Sequence, residues 1–140
     1  MNRSGYSDNH EAPDGEYFLW RHAVQRSIDG KRGQYMLRDL LAALDAMPNK
    51  VLAAESLITE DGEFCALGAL GHSRGMDMKP LDPENWRSVA EAFGVAPALI
   101  REIAYMNDEQ GGYSTAVRSD GDRWRYMRRW VSMQINGDVK

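Results

Sequence analysis

The segment Glu63-Phe-Cys-Ala-Leu-Gly-Ala-Leu-Gly-His-Ser-Arg-Gly75 stands apart from the rest of the chain. It is the only long run nearly free of charge, and it carries the single cysteine. Cys65, Ala69 and His72 recur at helical spacing on one face, with Gly68 and Gly71 close by. Small side chains let neighbouring backbones approach closely, so the segment predicts a central helix that the others wrap. Each glycine weakens an isolated helix by roughly 1 kcal/mol relative to alanine, so packing must compensate. Gly75 ends it.

Upstream, Asp14 is placed to cap a first helix over 15–29, whose apolar positions Tyr17, Trp20, Ala23, Val24 and Ile28 follow the helical period. Lys31, Arg32 and Gly33 read as a short basic loop. A second helix follows over 34–46, with Met36, Leu37, Leu40, Leu41 and Leu44 inward and Pro48 beyond its end. A connection that short predicts an antiparallel hairpin of helices. Between 57 and 65 the helical pattern fails, and Asp61-Gly62 flanked by apolar residues predicts a small β-hairpin; a loose loop is the alternative. Residues 1–13 lack periodicity and read as a flexible tail.

Downstream, Asp82 and Pro83 read as the cap and first position of a helix ending at Gly94. Pro97 opens the next, 107–122 is a polar loop, and a final helix over 122–135 buries Trp124, Met127, Val131 and Ile135. The expected fold class is mainly α: a single-domain bundle of about six helices over 14–137, with that small hairpin.

The composition fits one globular domain of 140 residues, 43% hydrophobic and 27% charged. A lone cysteine excludes an internal disulfide and a Cys-rich zinc site. No apolar run reaches the roughly 18 residues of a membrane span, and the polar N-terminus does not read as a signal peptide, so a cytoplasmic location is expected. The net charge of −4 is unevenly spread. Residues 51–112 hold four basic groups against eleven acidic, whereas 113–140 hold six against three. An acidic middle with a basic end implies polarised surfaces and a charged macromolecular partner; chance variation among solvated faces is the bland alternative.

Val89, Ala90, Phe93, Gly94, Val95, Ile100 and Ile103 match the hydrophobic pattern of a helix-turn-helix, which residues 86–105 therefore resemble. In that family the early residues of the second helix read bases. Here they are Ala96, Pro97, Ala98 and Leu99, which offer no side-chain donor. Only Arg101 and Glu102 are polar candidates, and the unit carries an excess of acid that repels phosphate.

The last helix is different. Arg118, Arg123, Arg125, Arg128 and Arg129 interleave with Trp124, Tyr126 and Trp130, a mixture suited to protein hot spots or to phosphate contact with base stacking. Arg118, Arg125, Arg128, Arg129 and Trp130 are the candidate basic contacts, and Trp130 is expected at the exposed edge. Lys31 and Arg32 would extend the patch if the fold brings them near. Glu84, Glu91, Glu102, Asp108 and Glu109 are the candidate acidic contacts. No enzymatic motif emerges. Cys65 and His72 lie about 10 Å apart along a helix axis, too far for a nucleophile and its base. Asn107, Asp108, Glu109, Asp120 and Asp122 match no calcium-loop spacing. No metal or other cofactor is implied.

Cys-Ala-Leu-Gly-Ala-Leu-Gly at 65–71 and Ala-Tyr-Met-Asn-Asp-Glu at 104–109 resemble small proteins of phages and prophages. That resemblance implies an accessory protein that binds and blocks a host protein, as anti-CRISPR inhibitors do. The expected function is a non-enzymatic inhibitor or modulator of a host nucleic-acid-handling complex. A helix-turn-helix-like DNA-binding regulator is the alternative, and a small enzyme with an illegible site a further one.

Overall fold

The computed structural model describes residues 14–109 and 117–136, so the tail expected at 1–13 lies outside the described residues. Six helices follow in order: α1 (Asp14–Asp29), α2 (Lys31–Ala46), α3 (Ala66–Ser73), α4 (Trp86–Phe93), α5 (Pro97–Glu109) and α6 (Asp120–Gln134). The fold is mainly α, as the periodicity predicts. Among the described residues no strand forms, and the hairpin expected at 57–65 shrinks to one antiparallel bridge between Ile58 and Phe64. Asp61-Gly62 still makes its turn, with Gly62 at φ +82°. A two-stranded ribbon is only marginally stable by itself. Here the Thr59 amide donates to the Glu63 carbonyl and the Cys65 amide to the Leu57 carbonyl across the turn, while the Phe64 carbonyl accepts from the Ala53 amide of the preceding loop at 2.8 Å.

The helix predicted at the centre is there, although it is short. Every residue from Cys65 to Gly71 is buried, and α3 packs between α2 and α5. Gly68 explains how the loop reaches it: a Cβ there would lie 1.8 Å from the Leu57 carbonyl oxygen. Cys65 is not a helical residue. Its extended backbone places it at the N-cap, where its Sγ accepts from the Gly68 amide at 3.3 Å. That removes it from the helical register, so the face expected to carry both Cys65 and His72 does not exist. Cys65 is fully buried, whereas His72 is exposed and stacks on Phe64 with ring centres 4.9 Å apart. In the native state the Cys65 thiol should therefore resist Ellman's reagent, reacting only at the rate of global unfolding. Labelling within seconds would contradict this burial.

The sequence misplaces three boundaries for local reasons. Lys31, Arg32 and Gly33 form the first turn of α2, not a loop, because Gly30 alone makes the corner. Its amide donates to Arg26 and its carbonyl accepts from Gln34, which ends one helix and starts the next. Gly33 permits the crossing, since a Cβ there would meet the Ser27 carbonyl oxygen at 1.8 Å. Asp82 caps a turn, not a helix; the cap of α4 is Asn85, whose side chain accepts from the Ser88 amide at 3.2 Å. Asn107, expected in a loop, is a fully buried residue of α5.

Asn107 joins three elements. Its Oδ1 accepts from the Ala66 amide at the start of α3, and its Nδ2 donates to the Ala53 carbonyl. Its own carbonyl accepts from Arg123 Nε of α6 at 2.9 Å. Gln34 does similar work at the other end of the bundle, donating to the Ile28 and Gln134 carbonyls and accepting from the Asn136 amide. These two amides satisfy buried backbone groups that a purely apolar core would leave unpaired.

A candidate binding face on the last helix

Helix α6 starts where Ser119 accepts from the Asp122 amide at 3.1 Å, the expected behaviour of a serine N-cap. The Asp122 carboxylate accepts from the Arg118 amide and from Arg125, and these two contacts, the amide first, hold its pKa below the ordinary value of 3.8. A carboxyl depressed on folding stabilises the fold above its unfolded pKa and ceases to do so as pH falls through the folded one. The first turn of α6 should thus loosen only below about pH 4. An Asp122→Asn protein should lose that dependence, read from amide chemical shifts of residues 119–123 in an acid titration.

The rest of the helix sorts by period. Met127, Val131 and Ile135 are buried against the core. Trp124, Arg128 and Ser132 form a half-buried stripe, and Arg125, Arg129 and Met133 form an exposed one. Together the two stripes line a shallow groove of about 320 Å³. Its inner edge is the end of α2: Trp124 Nε1 donates to the Leu44 carbonyl at 3.1 Å, and Arg128 makes a two-pronged ion pair with Asp45. Lys50 caps the same helix end by donating to the Asp45 and Met47 carbonyls, with its Nζ 5.4 Å from the Trp124 ring centre. Cations suit a helix C-terminus, so Lys50 has a structural task as well as a place on this surface.

Within the groove the charges differ in availability. Arg128 is matched by Asp45 and Arg125 by Asp122, while Arg129 makes no ion pair with a described residue. Met133 is 67% exposed. Arg125, Arg128 and Arg129 thus lie together, as the sequence implies. Arg118 is exposed just ahead of the helix. Trp130 is a correction: it is half-buried against the core and does not line the groove. Trp124 packs against the core, as its place in the stripe predicts, and also lines the groove, its indole N–H held by the carbonyl at the end of α2. Lys31 and Arg32 are exposed at the far end of α2, where Gln34 meets Gln134.

The acidic candidates do not form one face with these arginines. Glu84 precedes α4 and Glu91 lies in its last turn, both exposed; Asp108 and Glu109 end α5, half-buried. Asp108 accepts from the Glu55 amide, which helps hold Glu55 at φ +65°. Glu102 is a correction. It is 1% exposed, and both of its oxygens accept from Arg21 at 3.2 and 3.3 Å. Burying a carboxylate that deep without such a partner would be strongly destabilising. It serves the core between α1 and α5 and is not a contact surface. Burial, with the Glu102 charge nearby, also pushes the Tyr126 hydroxyl up.

The α4–α5 pair turns at Gly94 (φ +73°), and Val89, Ala90, Phe93, Val95, Ile100 and Ile103 all pack inward. On the second helix Leu99 is buried, and the Arg101 guanidinium lies 4.4 Å from the Trp20 ring centre and 4.8 Å from that of Trp86. Helix α5 packs against α1, α3, α4 and α6. Its polar side chains are thus largely committed within the protein.

Among the described residues no three His, Cys, Asp or Glu side chains gather as metal ligands, and no helix is long and apolar enough to cross a membrane. No family model, curated protein or solved structure matches this chain.

Proposed function

We propose that the protein is a non-enzymatic binding protein whose contact face is the outer side of α6. The partner is an acidic protein surface belonging to a host nucleic-acid-handling complex. In this reading the protein acts in the cytoplasm as a phage-type inhibitor or modulator, in the manner of an anti-CRISPR protein. The observation that carries it is the exposed stripe of Arg125, Arg129 and Met133 beside Trp124. A cation with no ion pair to a described residue, a bare thioether and a fixed indole supply the charge, pliability and rigid area that protein contacts use. The acidic surfaces of α4 and the end of α5 would repel nucleic acid and keep the same complex from closing on its own substrate.

The test is a pull-down from host lysate with the wild-type chain and with Arg129→Glu/Met133→Asp. Both positions are exposed, so the variant should keep its helical circular dichroism and lose the stoichiometric partner. Recovery of one partner by both proteins would refute the α6 face. The DNA-binding alternative draws on the same arginines, and a gel shift on random duplex at low salt separates it. A regulator would bind with an affinity falling steeply in salt; the protein-binding reading expects no shift.

A further inference from the structure

Helices α2 and α6 run antiparallel. Trp124 and Arg128 meet the end of α2 at Leu44 and Asp45, while Gln34 near its start donates to the Gln134 carbonyl and accepts from the Asn136 amide. Arg38 adds to the contact at that end by donating to the Asn136 carbonyl at 3.2 Å. On α2, Lys31, Tyr35 and Arg38 follow at i, i+4 and i+7 and so share one stripe, away from the buried Met36, Leu37, Leu40 and Leu44. On α6, Arg129 and Met133 stand one turn apart on the exposed stripe that leads to Asn136. The Arg38–Asn136 bond therefore sets the two stripes side by side, on helices whose axes lie about 8–10 Å apart as in any packed pair.

The joint stripe differs from the rest of α6 in what its charges already do. Arg125 and Arg128 are held by Asp122 and Asp45, whereas Lys31, Arg38 and Arg129 make no ion pair with a described residue. The buried Nε of Arg38 meets no acceptor among the described residues. Asp29, at the same corner, is engaged by Gln25 and Asn136. Four large apolar side chains stay exposed among the described residues, and two of them, Tyr35 at 60% and Met133 at 67%, lie here. Each is the sequence neighbour of a glutamine in the Gln34–Gln134 bond. Arginine, tyrosine and methionine are the side chains enriched where interfaces form.

Resting on the α6 reading, we infer that the contact face continues from Arg129 and Met133 across α2 to Tyr35, Arg38 and Lys31. Its occupant is an acidic segment of the partner protein, whose carboxylates meet the three cations and whose apolar side chain covers Tyr35 and Met133. Charge complementarity selects it, because these positions carry three unmatched cations and no carboxylate. A nucleic acid suits the face less well: a chain of net charge −4 repels a long polyanion more than it repels a short acidic segment.

The probe is a synthetic peptide of glutamates around one central leucine, titrated into the full chain at low salt with amide chemical shifts recorded. The expected result is saturable shifts at 31–38 of α2 together with 129–133 of α6. Tyr35→Ala, at an exposed position, should weaken binding about tenfold, roughly what loss of one anchor does. Lys31→Glu, also exposed, should weaken it too, by a factor that shrinks as salt rises. Shifts on α6 alone, with both variants binding like wild type, would overturn the α2 half and leave the α6 reading intact. Shifts on α2 alone would overturn the α6 reading and the joint face with it. No saturable shift anywhere would overturn both. Random duplex DNA that shifts the same residues at lower concentration than the peptide would overturn the acidic protein segment as occupant.

Discussion

Replacing Gly68 with alanine should destabilise the protein by about 3 kcal/mol and lower Tm by roughly 10 °C for a chain of this size. The sign is what matters. Alanine is the better helix former by roughly 1 kcal/mol, so helix propensity alone expects a gain. Against that, the new methyl would sit 1.8 Å from the Leu57 carbonyl oxygen, and that atom is backbone in a loop already tied to Cys65. The loop must lift from α3, breaking the Cys65 amide bond to Leu57 and opening the core beneath. Gly71→Ala is the matched control. The three atoms nearest its Cβ would all belong to the Met78 side chain, with Sδ at 2.4 Å, and a thioether chain can move aside, so the cost should stay under about 1 kcal/mol. Urea unfolding of the two variants side by side decides it. Equal stabilities, or a Gly68→Ala protein above wild type, would mean that Leu57 does not lie on α3.

Asn107→Ala should cost a comparable amount, about 3 kcal/mol, by a different route. The substitution leaves two backbone groups without partners: the Ala66 amide that opens α3 and the Ala53 carbonyl of the preceding loop. Each orphaned group costs about 1–3 kcal/mol when water cannot reach it. Asn107→Asp keeps the shape and is expected to be worse still. Its carboxylate could accept from Ala66 but would face the Ala53 carbonyl and the Asp108 carboxylate, where the amide now donates. Thermal melts at neutral pH should therefore rank wild type above Ala above Asp. An Asp variant as stable as wild type would contradict the donor role of Nδ2.

Those two positions also show where the sequence speaks and where it is silent. Gly68 is legible in kind, because small residues at helical spacing announce close packing, yet the atom it makes room for is not. Asn107 was hidden. A lone Asn beside Asp108 and Glu109 has the composition of a polar loop, and only the crossing of α3, α5 and α6 turns it inward. Glu102 fails similarly, since its partner Arg21 lies 81 residues away. By contrast the i, i+4, i+8 spacing of Met127, Val131 and Ile135 fixes the inner side of α6, and hence which arginines face out. Trp124 lines the groove because its indole N–H is held by the Leu44 carbonyl at the end of α2, a tertiary fact with no local signature.

If the binding face lies on α6 and not on the acidic helices, site-specific photo-crosslinking in host lysate should show it most directly. A photoreactive residue at 129 or 133 should yield one partner adduct, and the same residue at exposed position 91 of α4 should yield none. An adduct from position 91 with nothing from 129 or 133 would contradict it.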